Sequence, residues 1–246
     1  MERSMDVHVD DKIVDSWNKN VTQWTAAVRG GEIESRTAAT NQAIIEAVLR
    51  YSPGSVLDVG CGEGWLIREL SPHVSHLVGV DAVPGLVQRA EAAGGGTFFV
   101  ASYDAIADGA VKGSFGAVVC NFSLLGKESV EGLFSTAPSL VEPGGVLIVQ
   151  TLHPMFASGK LPYADGWRDG SWSGFNSSFI DPAPWYFRTL ASWVALFTAN
   201  GFRLIEVREP INPNTHKPAS IVFIGAHAAN KSFKPTVKPL RGSPAA

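Results

Sequence analysis

The chain has 246 residues, enough for one large α/β domain without requiring a second. With 45% hydrophobic and 17% charged residues it reads as an ordinary globular protein, and no apolar run approaches the roughly 18 residues of a membrane span. A net charge of −3 gives no bulk electrostatic case for nucleic acid or an anionic membrane as partner.

Between residues 8 and 28, Ile13, Val14, Trp17, Val21, Trp24 and Val28 recur at helical spacing, and Gly30-Gly31 breaks the run. This opening carries both charge signs and no long apolar block, so a secretory signal is not expected and a cytoplasmic location is. A second helix is predicted over 36–50 on the stripe Ile44, Ile45, Val48 and Leu49, ended by Tyr51-Ser52-Pro53-Gly54. Residues 1–52 thus form a helical lead-in. Strands are then predicted at 55–60, 76–80, 97–101, 115–121 and 145–151, with helices at 64–70, 84–93, 104–109 and 128–140. The runs at 116–120 and 146–149 are continuously apolar, as strands covered on both faces are. Such alternation predicts a parallel sheet with right-handed crossovers.

Glu142-Pro143-Gly144-Gly145 makes a sharp turn before the fifth strand. Residues 153–188 break the rhythm, being rich in Gly, Pro, Ser and Trp, and are expected to form a substrate lid inserted into the 53–228 domain. A helix over 190–200 stops at Asn200-Gly201, and strands at 202–208 and 219–226 close the domain. Residues 229–246 carry Lys231, Lys234, Lys238 and Arg241 without an acid, and read as a flexible, solvated tail. Cys61 and Cys120 are too few for a disulfide framework and too isolated for zinc. Buried packing is the expectation for both, and no metal is implied.

Residues 56–64 read Val-Leu-Asp-Val-Gly-Cys-Gly-Glu-Gly. The apolar strand stops at Gly60, Gly62 and Gly64, which let a ligand lie against bare backbone at the sheet's carboxyl edge. A dinucleotide fingerprint would need glycine at 65, where Trp65 stands; this counts against a nicotinamide oxidoreductase. Asp81 ends the second strand, where a carboxylate can accept from two ribose hydroxyls or cap the following helix.

The run at 56–64 resembles the first motif of the class I S-adenosylmethionine (SAM) dependent methyltransferases, roughly (V/L)LD(V/L)GCGxG. Trp17 and Trp24 in W-x6-W, Arg36 in G-x-I-E-S-R, and Pro-Trp-Tyr-Phe-Arg-Thr-Leu at 184–190 resemble its bacterial small-molecule branch, similar to ubiquinone and menaquinone biosynthesis methyltransferases. The likeness runs over about residues 12–226. It implies a Rossmann-like α/β fold: a seven-stranded, mostly parallel sheet with an antiparallel last strand and helices on both faces. It also implies SAM as cofactor and S-adenosylhomocysteine as product. Asp58, Gly60, Cys61, Gly62 and Gly64 would embrace the methionine part, with Asp81 and Ala82 at the ribose. Ser102 and Tyr103 take the adenine place, where the family usually has a small residue and an acid; here the acid comes late, as Asp104. Tyr103 either stacks on the ring or caps the core. Asn121 and Phe122 leave the fourth strand between methyl group and acceptor, and are not of the Asn-Pro-Pro-Tyr type. Asn121 faces the sulfonium or an acceptor, or caps the strand end. Arg36 holds the methionine carboxylate by a bidentate pair or lies on the surface, and Trp24 covers the cofactor or packs.

On the acceptor side, His153 ends the fifth strand, as a general base or as part of a turn fixed with Pro154. Trp167, Trp172, Phe175, Phe179, Trp185, Tyr186 and Phe187 form either an aromatic wall for a flat apolar substrate or a lid that buries its own rings. Arg188 reads an acidic substrate or makes a salt bridge at a helix start. The expectation is an enzyme that moves a methyl group to an O, N or C nucleophile of a small aromatic or apolar metabolite, as a monomer or homodimer. A macromolecule methyltransferase would need a basic groove. A SAM-binding protein without transfer, such as a sensor, is the rival of another class.

Overall fold

The computed structural model describes residues 3–170, 172 and 174–227, with main chain alone for 3–8; the expected tail at 229–246 lies outside the described residues. In chain order the elements are α1 Arg3–Lys19, α2 Val21–Arg29, α3 Asn41–Arg50, β1 Ser55–Val59, α4 Trp65–Leu70, β2 His76–Asp81, α5 Pro84–Ala93 and β3 Thr97–Val100. There follow α6 Tyr103–Ala107, β4 Phe115–Asn121, α7 Glu128–Leu140, β5 Val141–Thr151, α8 Pro154–Ala157, β6 Gly166–Arg168, β7 Trp185–Phe187, α9 Leu190–Ala199, β8 Phe202–Arg208 and β9 Ile221–His227.

Seven strands form one sheet in the order β3-β2-β1-β4-β5-β9-β8. Pairing is parallel from β3 to β5, with Leu57 opposite Val78 on one side and Val118 on the other. The last strand, β9, runs antiparallel to both β5 and β8. Successive strand residues point to opposite faces, so each apolar strand feeds two cores. One face packs Val118, Leu147, Val149 and Phe223 against Phe134 of α7 and Phe197 of α9. The other packs Val56, Val119, Ile148 and Ile224 against Ile44 of α3, Leu66 and Ile67 of α4, and Ala90 of α5. Each such large side chain contributes about 1.5–3 kcal/mol by leaving water. The strand order reverses between β1 and β4, which opens a crevice beyond their carboxyl ends.

Four local predictions are refined. The apolar run at 8–28 is two helices, broken at Asn20, whose Nδ2 donates to Ser16 O and Ile180 O while Oδ1 accepts from Ile180 N. The helix over 36–50 opens with a π-helical turn, Arg36–Thr40. The 142–145 turn lies within β5: Phe115 pairs with Val141 but Ala117 with Val146, so the intervening residues bulge out of register. The 153–188 insertion holds α8 and a β6–β7 hairpin that its composition hides, because strands of three residues show no period.

Candidate functional site

The crevice is shaped first by main chain. Gly60, at φ +79°, donates its N–H to Val80 O at 2.8 Å, and a Cβ there would lie 2.2 Å from Ser123 Cβ. Only glycine lets the loop after β4 pass so near; Ser123 Oγ closes the contact by donating to Val59 O at 2.7 Å. Gly62, at φ +56°, turns its N–H to Asp81 Oδ2 at 2.8 Å, while Asp81 Oδ1 accepts from Val83 N at 2.9 Å. Asp81 therefore ties the loop after β1 to the end of β2. Burial pushes its pKa up, and those N–H bonds oppose the shift.

Glu63, which sequence reasoning passed over, is 1% exposed and bridges two helices. Its carboxylate meets Arg29 Nε of α2 at 2.7 Å and Arg68 Nη2 of α4 at 2.6 Å. A carboxylate buried so deeply needs such partners. Only its place inside the glycine loop could have drawn attention, since Arg29 belongs to a distant part of the chain.

The loop encloses a cavity of about 200 Å³. Every residue expected around the cofactor lines it except Gly64, which caps α4 behind the loop. Two of them bring buried acceptors without donors among the described residues: Asp58 Oδ1 and Asn121 Oδ1. Burial, and then the charge of Asp81, push the Asp58 pKa up to about 7, while Arg36 opposes. The Arg36 guanidinium sits 5.6 Å over the Trp24 ring and 4.9 Å over Trp65, with no ion pair or hydrogen bond among the described residues. Burial lowers its pKa to about 10 against the pull of Glu63 and Asp58. An unpaired cation beside two orphaned acceptors suits a ligand carrying both a carboxylate and N–H or O–H donors.

Other candidates already have work in the fold. Ser102 Oγ accepts from Ala105 N and caps α6, and the Tyr103 hydroxyl donates to Ser123 O at 2.8 Å. Burial pushes the Cys61 and Cys120 thiols up, so both behave as packing groups. The helical lead-in read over 1–52 supplies α1 as a roof over this cavity, through Trp17 and through Ile13 and Val14, which were not expected at the site. Asp10 of α1 holds that roof in place, accepting from Lys127 N and Ser129 N at the start of α7.

A second cavity, about 1050 Å³, adjoins the first. Trp17, Trp24, Arg36, Phe122 and Leu125 belong to both. Phe122 is held at φ +54°, a conformation a bulky residue adopts only when its surroundings impose it. Trp172, Trp185, Tyr186 and Arg188 line the second cavity; Trp167 lies behind it, edge-on to Tyr186 at 5.4 Å. Trp172 also packs on Trp17 at 4.7 Å and Phe179 at 4.9 Å, so the segment both buries its own rings and walls a cavity.

His153 does not line either cavity. It is 8% exposed; Nδ1 accepts from Met155 N to cap α8, and Nε2 meets Glu209 Oε1 at 2.7 Å. With both ring nitrogens engaged away from the cavities, this geometry argues against a general-base role. Nor does Arg188 make the expected helix-start salt bridge among the described residues. Its Nη1 and Nη2 donate to Gly126 O and Lys127 O, and α9 is capped by Thr189.

Comparison with known proteins fits this architecture. The family model described as a methyltransferase domain matches residues 34–207. Uncharacterized methyltransferases of Mycobacterium tuberculosis and Mycobacterium bovis are 29% identical over 164 residues, covering 64% of this chain and 68% of theirs. A SAM-dependent methyltransferase structure from Mesorhizobium loti shares the fold at TM-score 0.57 and 22% identity, covering 74% of this chain and 95% of its own. The DhpI–SAH complex does so at TM-score 0.62 and 16% identity, covering 89% and 97%. The family match takes in β1 to β8 with the glycine loop at their centre, and the chain belongs to the methyltransferase-domain family.

Proposed function

We propose that this methyltransferase binds SAM in the first cavity and transfers its methyl group to an O, N or C nucleophile of a small aromatic or apolar metabolite in the second. The observation that carries this reading is the junction of the two cavities at Phe122, Arg36 and Trp24. Bound SAM supplies a methyl group on a sulfonium, already activated for in-line displacement. Catalysis by the protein is then alignment and exclusion of water.

Arg36 pairs with the methionine carboxylate through its planar fork. Asp58 and Asn121 accept from donors at that end, and the Asp81 carboxylate accepts from the ribose hydroxyls. The side chains of Ser102 and Tyr103 are committed elsewhere, so adenine is left to main-chain groups of that turn and to apolar Val83 and Leu86. Ile13, Val14 and Trp17 of α1 keep water out. Support for a small acceptor comes from the ring-lined walls and from the cover that α1 and the 153–188 segment provide together. DhpI, similar in fold, forms a complex with SAM and HEP together, a two-ligand arrangement that the paired cavities parallel.

Calorimetric titration tests the cofactor site. Asp81→Ala weakens SAM binding by about 2–4 kcal/mol, the loss of a charge-assisted hydrogen-bond pair. Unchanged affinity refutes the assignment. A metabolite-extract screen with methyl-labelled SAM, read by mass spectrometry, then identifies the acceptor.

A further inference from the structure

Of the charged side chains that line the second cavity, Arg188 alone is buried, at 4% exposure. Glu32, Glu34, Lys160 and Asp169 lie at its exposed rim, and Arg36 and Arg168 are partly exposed. Two N–H groups of the Arg188 guanidinium go to main-chain carbonyls, Gly126 O at 2.8 Å and Lys127 O at 3.1 Å. A guanidinium carries five, so three have no acceptor among the described residues. No described carboxylate stands within 4.0 Å of it. Asp165 is occupied by Thr189 N and Asp10 by the start of α7. Burial draws the Arg188 pKa down, while the charges of Glu131, then Tyr186, Asp165 and Asp10, none in ion-pair contact with it, oppose the shift.

The setting selects a particular anion. Arg188 lies 4.8 Å from the Tyr186 ring centre and 5.4 Å from that of Trp193, so the cation packs against two rings. Tyr186 N donates to Leu125 O at 2.7 Å, so the strand that leads into Arg188 is fastened to the loop that runs from Phe122 to α7. The guanidinium is thereby fixed relative to the junction of the two cavities. Resting on the reading of the second cavity as the acceptor site, we propose that the acceptor is an aromatic carboxylic acid, whose carboxylate is held by Arg188 while its ring system lies against Trp172, Trp185 and Tyr186.

Two probes of matched size, 2-naphthoate and neutral 2-naphthylmethanol, test this by quenching of tryptophan fluorescence with S-adenosylhomocysteine present. The wild-type protein is expected to bind the anion at least about tenfold more tightly, an effect on the scale of a charge-assisted pair. Arg188→Met abolishes the preference and leaves the alcohol within about threefold of wild type; Arg188→Lys, which keeps the charge but loses the fork, retains part of it. Equal affinities in the wild type, no naphthoate binding at millimolar concentration, or a preference that survives Arg188→Met each overturn the proposal. Should Arg188→Met fail to fold by circular dichroism, the wild-type probe pair and Arg188→Lys decide. SAM titration of the same proteins keeps the two readings apart. SAM binding without anion preference sinks the acceptor proposal alone, whereas wild-type protein that binds no SAM sinks the cofactor reading.

Discussion

The two cavities are built in opposite ways. The first is made of main chain at the centre of the sheet: N–H groups of Gly60 and Gly62 bonded to β2, and Ser123 bonded to β1. The second is made of side chains from segments 156 to 165 residues apart, where Ser16 meets Asp181 and Trp172, and Asn20 meets Ile180. Lys19 adds an ion pair to Asp181 at the surface. The floor of the first cavity cannot deform without breaking the β-ladder. The roof of the second is held by a few bonds worth about 1 kcal/mol each, so it can open while the sheet stays folded. On the proposed reading, one chain combines a rigid cofactor floor with an acceptor lid that separates for entry and release.

Four experiments break or sharpen that contrast. The largest effect is expected at Gly60. Gly60→Ala puts a Cβ 2.2 Å from Ser123 Cβ as well as in a left-handed φ, and should cost about 2–5 kcal/mol in urea denaturation. Gly174→Ala in the lid, at φ +91° but with open space around it, should cost only the strain of about 1–2 kcal/mol. Equal costs would erase the distinction. Next, Asn20→Ala leaves both main-chain groups of Ile180 without partners and should lower the opening free energy of the lid by about 1–3 kcal/mol. Hydrogen exchange should speed up in α1 and around 172–181 and stay unchanged in β1 to β5; faster exchange throughout would mean that roof and floor are one unit.

The third experiment concerns charge in the floor. Asp58 keeps its proton in the folded protein up to about pH 7, against 3.8 when unfolded. Between those values the folded state binds more protons, so its contribution makes stability fall as pH rises and the loss is complete above about 7. Asp58→Asn should remove that decline from a series of thermal midpoints in the ligand-free protein; an unchanged slope would assign it to other groups. The smallest effect is expected at His153. His153→Ala should leave turnover within about twofold and cost about 1 kcal/mol through the lost cap and Glu209 contact. A large loss of rate with a changed pH profile would restore it as a base.

The difference between the cavities also explains what could be read in advance. Strands β1 to β5 announce themselves by continuous apolar runs, and the glycine loop by spacing within nine residues, 56–64. The sequence by itself determined the parallel sheet, the crevice at its carboxyl edge and the strand-end positions Asp58, Gly60, Asp81 and Asn121 that line its floor. All of these follow from conformational preferences that act over a few neighbours. Only the tertiary structure decided that Asn20 divides a helix to hold Ile180, that Glu63 clamps two arginines, and that His153 turns to Glu209. Arg188 illustrates the limit. Its type suggested a charge, but its burial against two rings, with no carboxylate in ion-pair contact among the described residues, is a property of the folded chain. Side-chain contacts between remote segments leave no periodic trace along the chain, because what they satisfy is the burial of individual polar groups after the sheet has formed.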